Sequence, residues 1–318
     1  MRPCRVIFSV AVALILVAFG SAWSDAHAQA WVGDKGALDL SLDYNLGISD
    51  KVIEDKGPDF VNAGTTAHQF TLGAEYVPVD RLAVNVALPL VLLKYSGTLG
   101  MYPHPGGGSY DDGNTHTTLT DLRAGVRYQV LDEPIALTPH IAVTIPVANY
   151  ETVGNTVAGR HLKALHLGLG IGHVFGEATY VHLLYEFSVV EKYDRTSVPD
   201  RASVTATYGQ DRSDFAATIG HKLLDQRLDI HIDANGRITH GGVNFSEINF
   251  TASQPDPQFD VANFHDAILA ETIYLVGGGV GYQLNNALGV SLSGRLFVAG
   301  ANTQNASVFA LGVTWSPL

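Results

Sequence analysis

Apolar residues recur at every second position along most of this chain, and that period constrains the fold more than any other feature. From Ala37 to Ile48 the even positions are Leu38, Leu40, Leu42, Tyr44, Leu46 and Ile48, while the odd ones are Asp39, Ser41, Asp43, Asn45 and Gly47. A helix cannot place these two sets on opposite faces; a strand does so automatically. The same test succeeds at His68–Tyr76, Leu82–Leu90, Asp121–Val130, Ile135–Val147, Leu165–Gly172 and Val181–Val189. It succeeds again at Asp214–Gly220, Leu228–Asn235, Tyr274–Tyr282, Leu288–Val298 and Phe309–Trp315.

The connections alternate as strictly as the side chains. Tight turns fall at Val77–Arg81, Leu131–Pro134, Phe175–Ala178, Leu224–Arg227 and Leu284–Asn286. Between them lie long polar segments, Ser49–Thr65, Leu93–Thr118, Ala148–Leu162, Val190–Arg212 and Thr239–Ala270, and one brief one, Ala299–Ala306. Strands that run toward the tight turns end in Tyr76, Tyr128, Phe175, Tyr282 and Trp315 on their apolar face. Rings of this kind favour a membrane–water interface, where one edge is wet and the face lies in lipid. A soluble sandwich also alternates, but its outer faces would be the Gly- and Ala-rich ones, and its aromatics would have no reason to mark one end. The pattern predicts an all-β protein, a transmembrane antiparallel up-and-down β-barrel of about twelve strands, with short periplasmic turns and longer extracellular loops.

The first residues read as an export signal, to be set aside before any reasoning about the fold. Arg2 and Arg5 precede the apolar run Val6–Phe19, which is too short for a membrane helix, and Ala26-His27-Ala28 places cleavage before Gln29. The expected division is therefore a signal peptide at 1–28 and a barrel at 29–318. Cys4 is the single cysteine, so the remainder can form neither disulfides nor thiolate sites. The formal charge is −12, and removing residues 1–28 takes away two arginines and one aspartate, leaving −13. That balance argues against a nucleic-acid partner, which needs a basic footprint.

The parity opposite the apolar one supplies a candidate pore lining: Asp39, Asp43, Glu75, Asp121, Arg123, Arg127, His140, His166, His182, Glu186, Asp229, His231, Asp233, Arg237 and Arg295. Both signs occur, so this face either selects solutes or braces a narrow lumen with ion pairs. Asp229-x-His231-x-Asp233 lies on one inward face, yet a metal needs ligands converging from several elements, so neither a metal nor another cofactor is expected. His68, His173, His221 and Ser213 point outward without forming a Ser/His pair at nucleophile spacing, so no catalytic residue is assigned. Residues Gln29–Lys35 are too few for a plug domain, and Leu93–Thr118, with Pro103, Pro105 and three consecutive glycines, is the segment expected to fold inward. Acidic loop residues Asp50, Glu54, Asp55, Asp59, Asp111 and Asp112 are candidates for cation bridges to lipopolysaccharide in an outer membrane.

Thr120-Asp121-Leu122-Arg123-Ala124-Gly125-Val126-Arg127-Tyr128, Leu131 and Ile141-Ala142-Val143-Thr144-Ile145-Pro146 resemble the MetA-pathway of phenol degradation family of outer-membrane transporters. Leu167-Gly168-Leu169-Gly170-Ile171-Gly172 and Gly279–Tyr282 are similar to it as well. Val147-Ala148 departs from that family's Thr-Gly, and the chain ends Trp315-Ser316-Pro317-Leu318 where such barrels end in an aromatic read by the barrel-assembly machinery. The resemblance implies a Gram-negative outer-membrane protein taking up small aromatic or apolar molecules, by an associational warrant. The resulting expectation is a passive, porin-like channel. The alternatives are a structural barrel without transport and a lipid-modifying enzyme.

Overall fold

The computed structural model describes residues 30–56, 59–97, 111–150, 152, 154–194, 207–247 and 268–317. The proposed signal peptide lies outside them. The strands are β1 Leu38–Ile53, β2 Phe60–Val79, β3 Leu82–Tyr95, β4 Thr115–Leu119, β5 Asp121–Tyr128, β6 Ala136–Pro146, β7 Ala164–Phe175 and β8 Thr179–Val190. They continue with β9 Tyr193–Asp194, β10 Thr207–Tyr208, β11 Asp211–Leu223, β12 Leu228–His240, β13 Thr272–Asn285, β14 Leu288–Ala301, β15 Thr303–Gln304 and β16 Ser307–Trp315. All but β4, β9, β10 and β15 are wall strands, each antiparallel to its sequence neighbours, and β1 pairs with both β2 and β16. The result is a closed 12-strand antiparallel barrel. Closure gives every wall strand two partners, which removes the unpaired edge that lipid would penalise.

The two faces of the wall are opposite in character. Leu72 is 62% exposed and Ile232 64%, whereas the inward His166 and Glu186 are 0% and 1%. A water-soluble barrel would show the reverse. The apolar exterior continues to the turn end, where Tyr76, Tyr128, Phe175, Tyr282 and Trp315 all face outward, and Arg227 lies over the Tyr282 ring at 5.5 Å.

Several strands run farther toward the loop end than alternation predicts. β2 begins at Phe60 rather than His68, and β12 continues to His240. Backbone hydrogen bonding does not require lipid, so pairing outlasts the apolar stripe once the wall rises above the bilayer. The pairing of β1 with β2 continues past an irregularity between Ser49 and Lys51. A second irregularity separates β4 from β5. The register of β3 shifts by one residue between Ala87↔Arg123 and Leu90↔Leu119, opposite Pro89, which has no N–H to donate. Thr120 N–H instead donates to the Pro89 carbonyl at 3.1 Å. Like other bulges, this one re-aims side chains, and the consecutive Thr120 and Asp121 both face the lumen.

Candidate functional site

The interior is layered along the barrel axis. Its middle is a girdle of charged side chains contributed by nearby wall strands. Glu186 on β8 receives Arg123 of β5 through two contacts, 2.6 and 3.2 Å, His140 of β6 at 2.7 Å and His166 of β7 at 3.0 Å. His166 also meets Thr144 at 2.7 Å and Ser188 at 2.8 Å. The His140 ring fits because residue 168 is glycine; any Cβ there would collide with it. Beside this cluster Arg127 is paired with Glu75, and Arg295 with Asp233 at 2.6 Å. Buried charges persist only when paired and hydrogen-bonded, and here each is matched across the wall.

Toward the turn end the lumen is filled by the chain's own N-terminal segment. Ala30 is fully buried, and its carbonyl accepts from Thr138. Val32 N–H donates to Gln129 at 2.8 Å, and Trp31 meets Tyr180 edge-on at 6.5 Å. A methyl group on Gly172 would come within 2.6 Å of the Trp31 ring, so glycine at that position is what lets the indole lie against the wall. From the sequence this segment is expected only to be too short for a plug domain, and no place in the lumen is assigned to it. It nonetheless enters the barrel, because a narrow lumen needs only a few residues to fill it.

Toward the loop end lies a cavity of about 570 Å³. One wall is apolar: Ala67, Val91 and Leu93 of β2 and β3 form a buried cluster against which Ala158 packs. The other wall carries Arg212 and Asp214 of β11, Arg237 of β12 and Glu271. Arg237 pairs with Asp214 at 2.6 Å, Arg212 with Asp214 at 3.3 Å and Arg160 with Glu271 at 3.3 Å. Residues 155 and 157–160 cover the cavity from the loop side. Asp111 clamps this cover, accepting from Asn155 N–H at 2.9 Å and from the Thr156 hydroxyl at 2.6 Å. Tyr150 donates to Asp121 and accepts from His161 N–H at 2.9 Å; burial, reinforced by the neighbouring Asp121, raises its pKa and keeps its proton in place.

The inward-folding segment among the described residues is thus 154–162, whereas half of the expected one, Leu93–Thr118, lies outside them at residues 98–110. Asp111, grouped by sequence with the solvated loop acids, is buried as part of the clamp. Asp112 stays at the surface, where the Asn114 side chain, its N–H and His116 hold the carboxyl at about 2.

A solved structure shares this architecture. The COG4313 outer membrane channel from Pseudomonas putida F1 matches with a TM-score of 0.68 at 13% identity, over 93% of this chain and 100% of that one. The fold is that of an outer-membrane barrel. The NanC porin (TM-score 0.48, 7% identity, 88% of this chain and 99% of that one) is also similar. So is the translocator domain of the autotransporter NalP from Neisseria meningitidis (TM-score 0.49, 12% identity, 89% of each chain). No family model matches the sequence, and no curated protein does.

The remaining inward residues form smaller groups. Asp39 accepts from Ser316 and Asp43 from Ser41 at 3.2 Å, His182 is buried on β8, and Asp229 meets His231 at 2.9 Å and Tyr180 at 3.1 Å. Asp229 and His231 are thereby separated from Asp233, which belongs to Arg295, and no metal-ligand cluster occurs among the described residues. Sequence reasoning missed Arg160, Arg212, Asp214 and Glu271. Asp214 sat on the inward parity unremarked, and the other three lay in or at the edges of presumed loops.

It also missed a pair on the lipid-facing side. Ser213 Oγ lies 2.8 Å from His240 Nε2 and 3.0 Å from the Tyr185 hydroxyl, so a Ser/His pair at hydrogen-bond distance does exist. His240 lies beyond the predicted end of its strand. Extending the even parity of Leu228 through Ile238 would have reached it.

Proposed function

We propose that the chain is a passive outer-membrane channel for small molecules, with its tight turns in the periplasm and its long connections outside. One observation carries this reading: a closed wall, apolar outside, encloses a polar interior with a cavity of about 570 Å³, within the size range of small-molecule sites. The interior charges, Asp39 through Arg295, would then be lumen-facing groups that solute and water pass. Among the described residues, 154–162 lie over the cavity and Ala30–Val32 lie below the girdle, so a solute crossing the lumen would pass both segments. Support for small aromatic or apolar solutes comes from the resemblance to the phenol-degradation family. The likeness to the Pseudomonas putida channel is consistent with transport but adds only fold-level analogy. Planar bilayers and swelling of solute-loaded liposomes test the reading. Stepwise currents and uptake are expected; a folded barrel that yields neither is not a channel.

The Ser213–His240 pair favours a second reading, hydrolysis of a lipid ester at the outer leaflet. Against it, Ser213 is only 8% exposed and held by two hydrogen bonds. Phospholipid hydrolysis that disappears in Ser213→Ala would establish the enzyme.

A further inference from the structure

The girdle holds one imidazole lone pair that none of its hydrogen bonds uses. The register sets Arg127, His140, Gly168, Glu186 and Asp214 in one row across β5, β6, β7, β8 and β11. Because position 168 is glycine, the His140 ring lies over β7, and its Nε2 reaches Glu186 at 2.7 Å. A carboxylate only accepts, so Nε2 carries the ring proton and the lone pair is left on Nδ1. Nδ1 makes no hydrogen bond among the described residues and is not closed off from the lumen, where the ring lines the cavity. His166, the other imidazole on Glu186, differs. It is fully buried, and Thr144, Ser188 and Glu186 occupy its two nitrogens.

The fixed charges around His140 cancel. Arg123 of β5 and His166 of β7 meet Glu186 of β8, and Arg127 of β5, the direct neighbour in the row, is held by Glu75 of β2. With Arg295 on Asp233, three arginines of the girdle face three carboxylates. Toward the loop end, Arg160, Arg212 and Arg237 face Asp214, Glu271 and Asp121 in the same proportion. A proton taken by Nδ1 therefore has no spare carboxylate to cancel it. The Nε2 bond to Glu186 stays in place, and one positive charge is added beside Arg123, where the girdle borders the cavity.

We infer that His140 sets the ion selectivity of the lumen through its own protonation, turning the girdle from neutral to cationic and anion-favouring in acid. The inference rests on the channel reading for its ion path, and adds to it the residue and the condition that control which ions pass. Free imidazoles change charge between about pH 5 and 8, which sets the window for a test.

Reversal potentials of the full barrel in a planar bilayer, under a potassium chloride gradient at either end of that window, provide it. The chloride-to-potassium permeability ratio should rise about fivefold on acidification, the scale of one added charge acting with opposite sign on the two ions. His140→Gln keeps an N–H for Glu186 but cannot take the proton, so the rise should vanish. Heat-dependent gel mobility confirms that this variant is folded. A second measurement needs neither variant nor current. Diethyl pyrocarbonate carbethoxylates only an unprotonated imidazole nitrogen. Peptide mass spectrometry should find His140 modified at the alkaline end and largely spared at the acid end, with His166 unmodified at both. A rise that survives in His140→Gln, or a His140 left unmodified at the alkaline end, overturns the inference. Modification without any current keeps the proton site and removes the channel, whereas a current whose ratio ignores acid keeps the channel and removes the role of His140.

Discussion

At the scale of single residues, the most consequential group in the lumen is Glu186. One carboxylate serves Arg123, His140 and His166; Glu186 and His166 are buried and His140 nearly so, while Arg123 is partly open to the cavity. Replacing Glu186 with Gln keeps the shape but leaves the Arg123 guanidinium without its counter-charge. Removing one partner of a buried pair typically costs about 3–5 kcal/mol, far more than the net value of the pair itself. The expected outcome is a loss of that size in urea unfolding from lipid vesicles, with Arg123→Gln/Glu186→Gln losing less than the sum of the two single changes. A single-variant loss under about 1 kcal/mol, the range of exposed pairs, would mean the girdle is wet and weakly coupled. The sequence made the members of this cluster legible, because parity alone assigns Arg123, His140, His166 and Glu186 to one face. Their partnership was not legible. Which charge meets which depends on the register between strands, and register follows from turn geometry and bulges that periodicity does not encode.

At the scale of elements, the twelve wall strands could be read from alternation because lipid imposes it, residue by residue. Where lipid ends, so does the signal. This is why the upper parts of β1, β2 and β12 were taken for loops, and why Arg212, His240 and Glu271 were misjudged or overlooked. The bulge opposite Pro89 was hidden for a different reason: inserting one residue changes parity by one, which looks like the end of a strand. The cover over the cavity is likewise held by individual side chains, Asp111, Tyr150 and Glu271, rather than by a periodic pattern. Asp111 satisfies the turn at Asn155 and Thr156, so Asp111→Ala leaves those N–H and hydroxyl donors without their acceptor. The cover should then open more often, giving more frequent current steps in a planar bilayer and faster limited proteolysis near residue 155. Unchanged open probability would show that the cover does not gate.

For the whole molecule, the channel reading puts the segment over the cavity and the segment at the turn end in series along one path, and this has a quantitative consequence. Series resistances add, so relieving one barrier leaves the other in control. Trp31→Ala removes the ring that rests on Gly172 and meets Tyr180, loosening the segment at the turn end without touching the cavity. Asp111→Ala loosens the cover without touching the turn end. Each variant alone should raise mean conductance modestly, and the double variant should raise it by more than the sum of the two single increases. If the paths were parallel, the single increases would simply add. If only one closure mattered, its variant would match the double. Because the girdle between them stays intact in all three proteins, a fully open double variant should still show ion selectivity set by the paired charges. That selectivity would weaken in the background of Glu186→Gln, and the conductance ladder measured with and without that change separates what closes the lumen from what lines it.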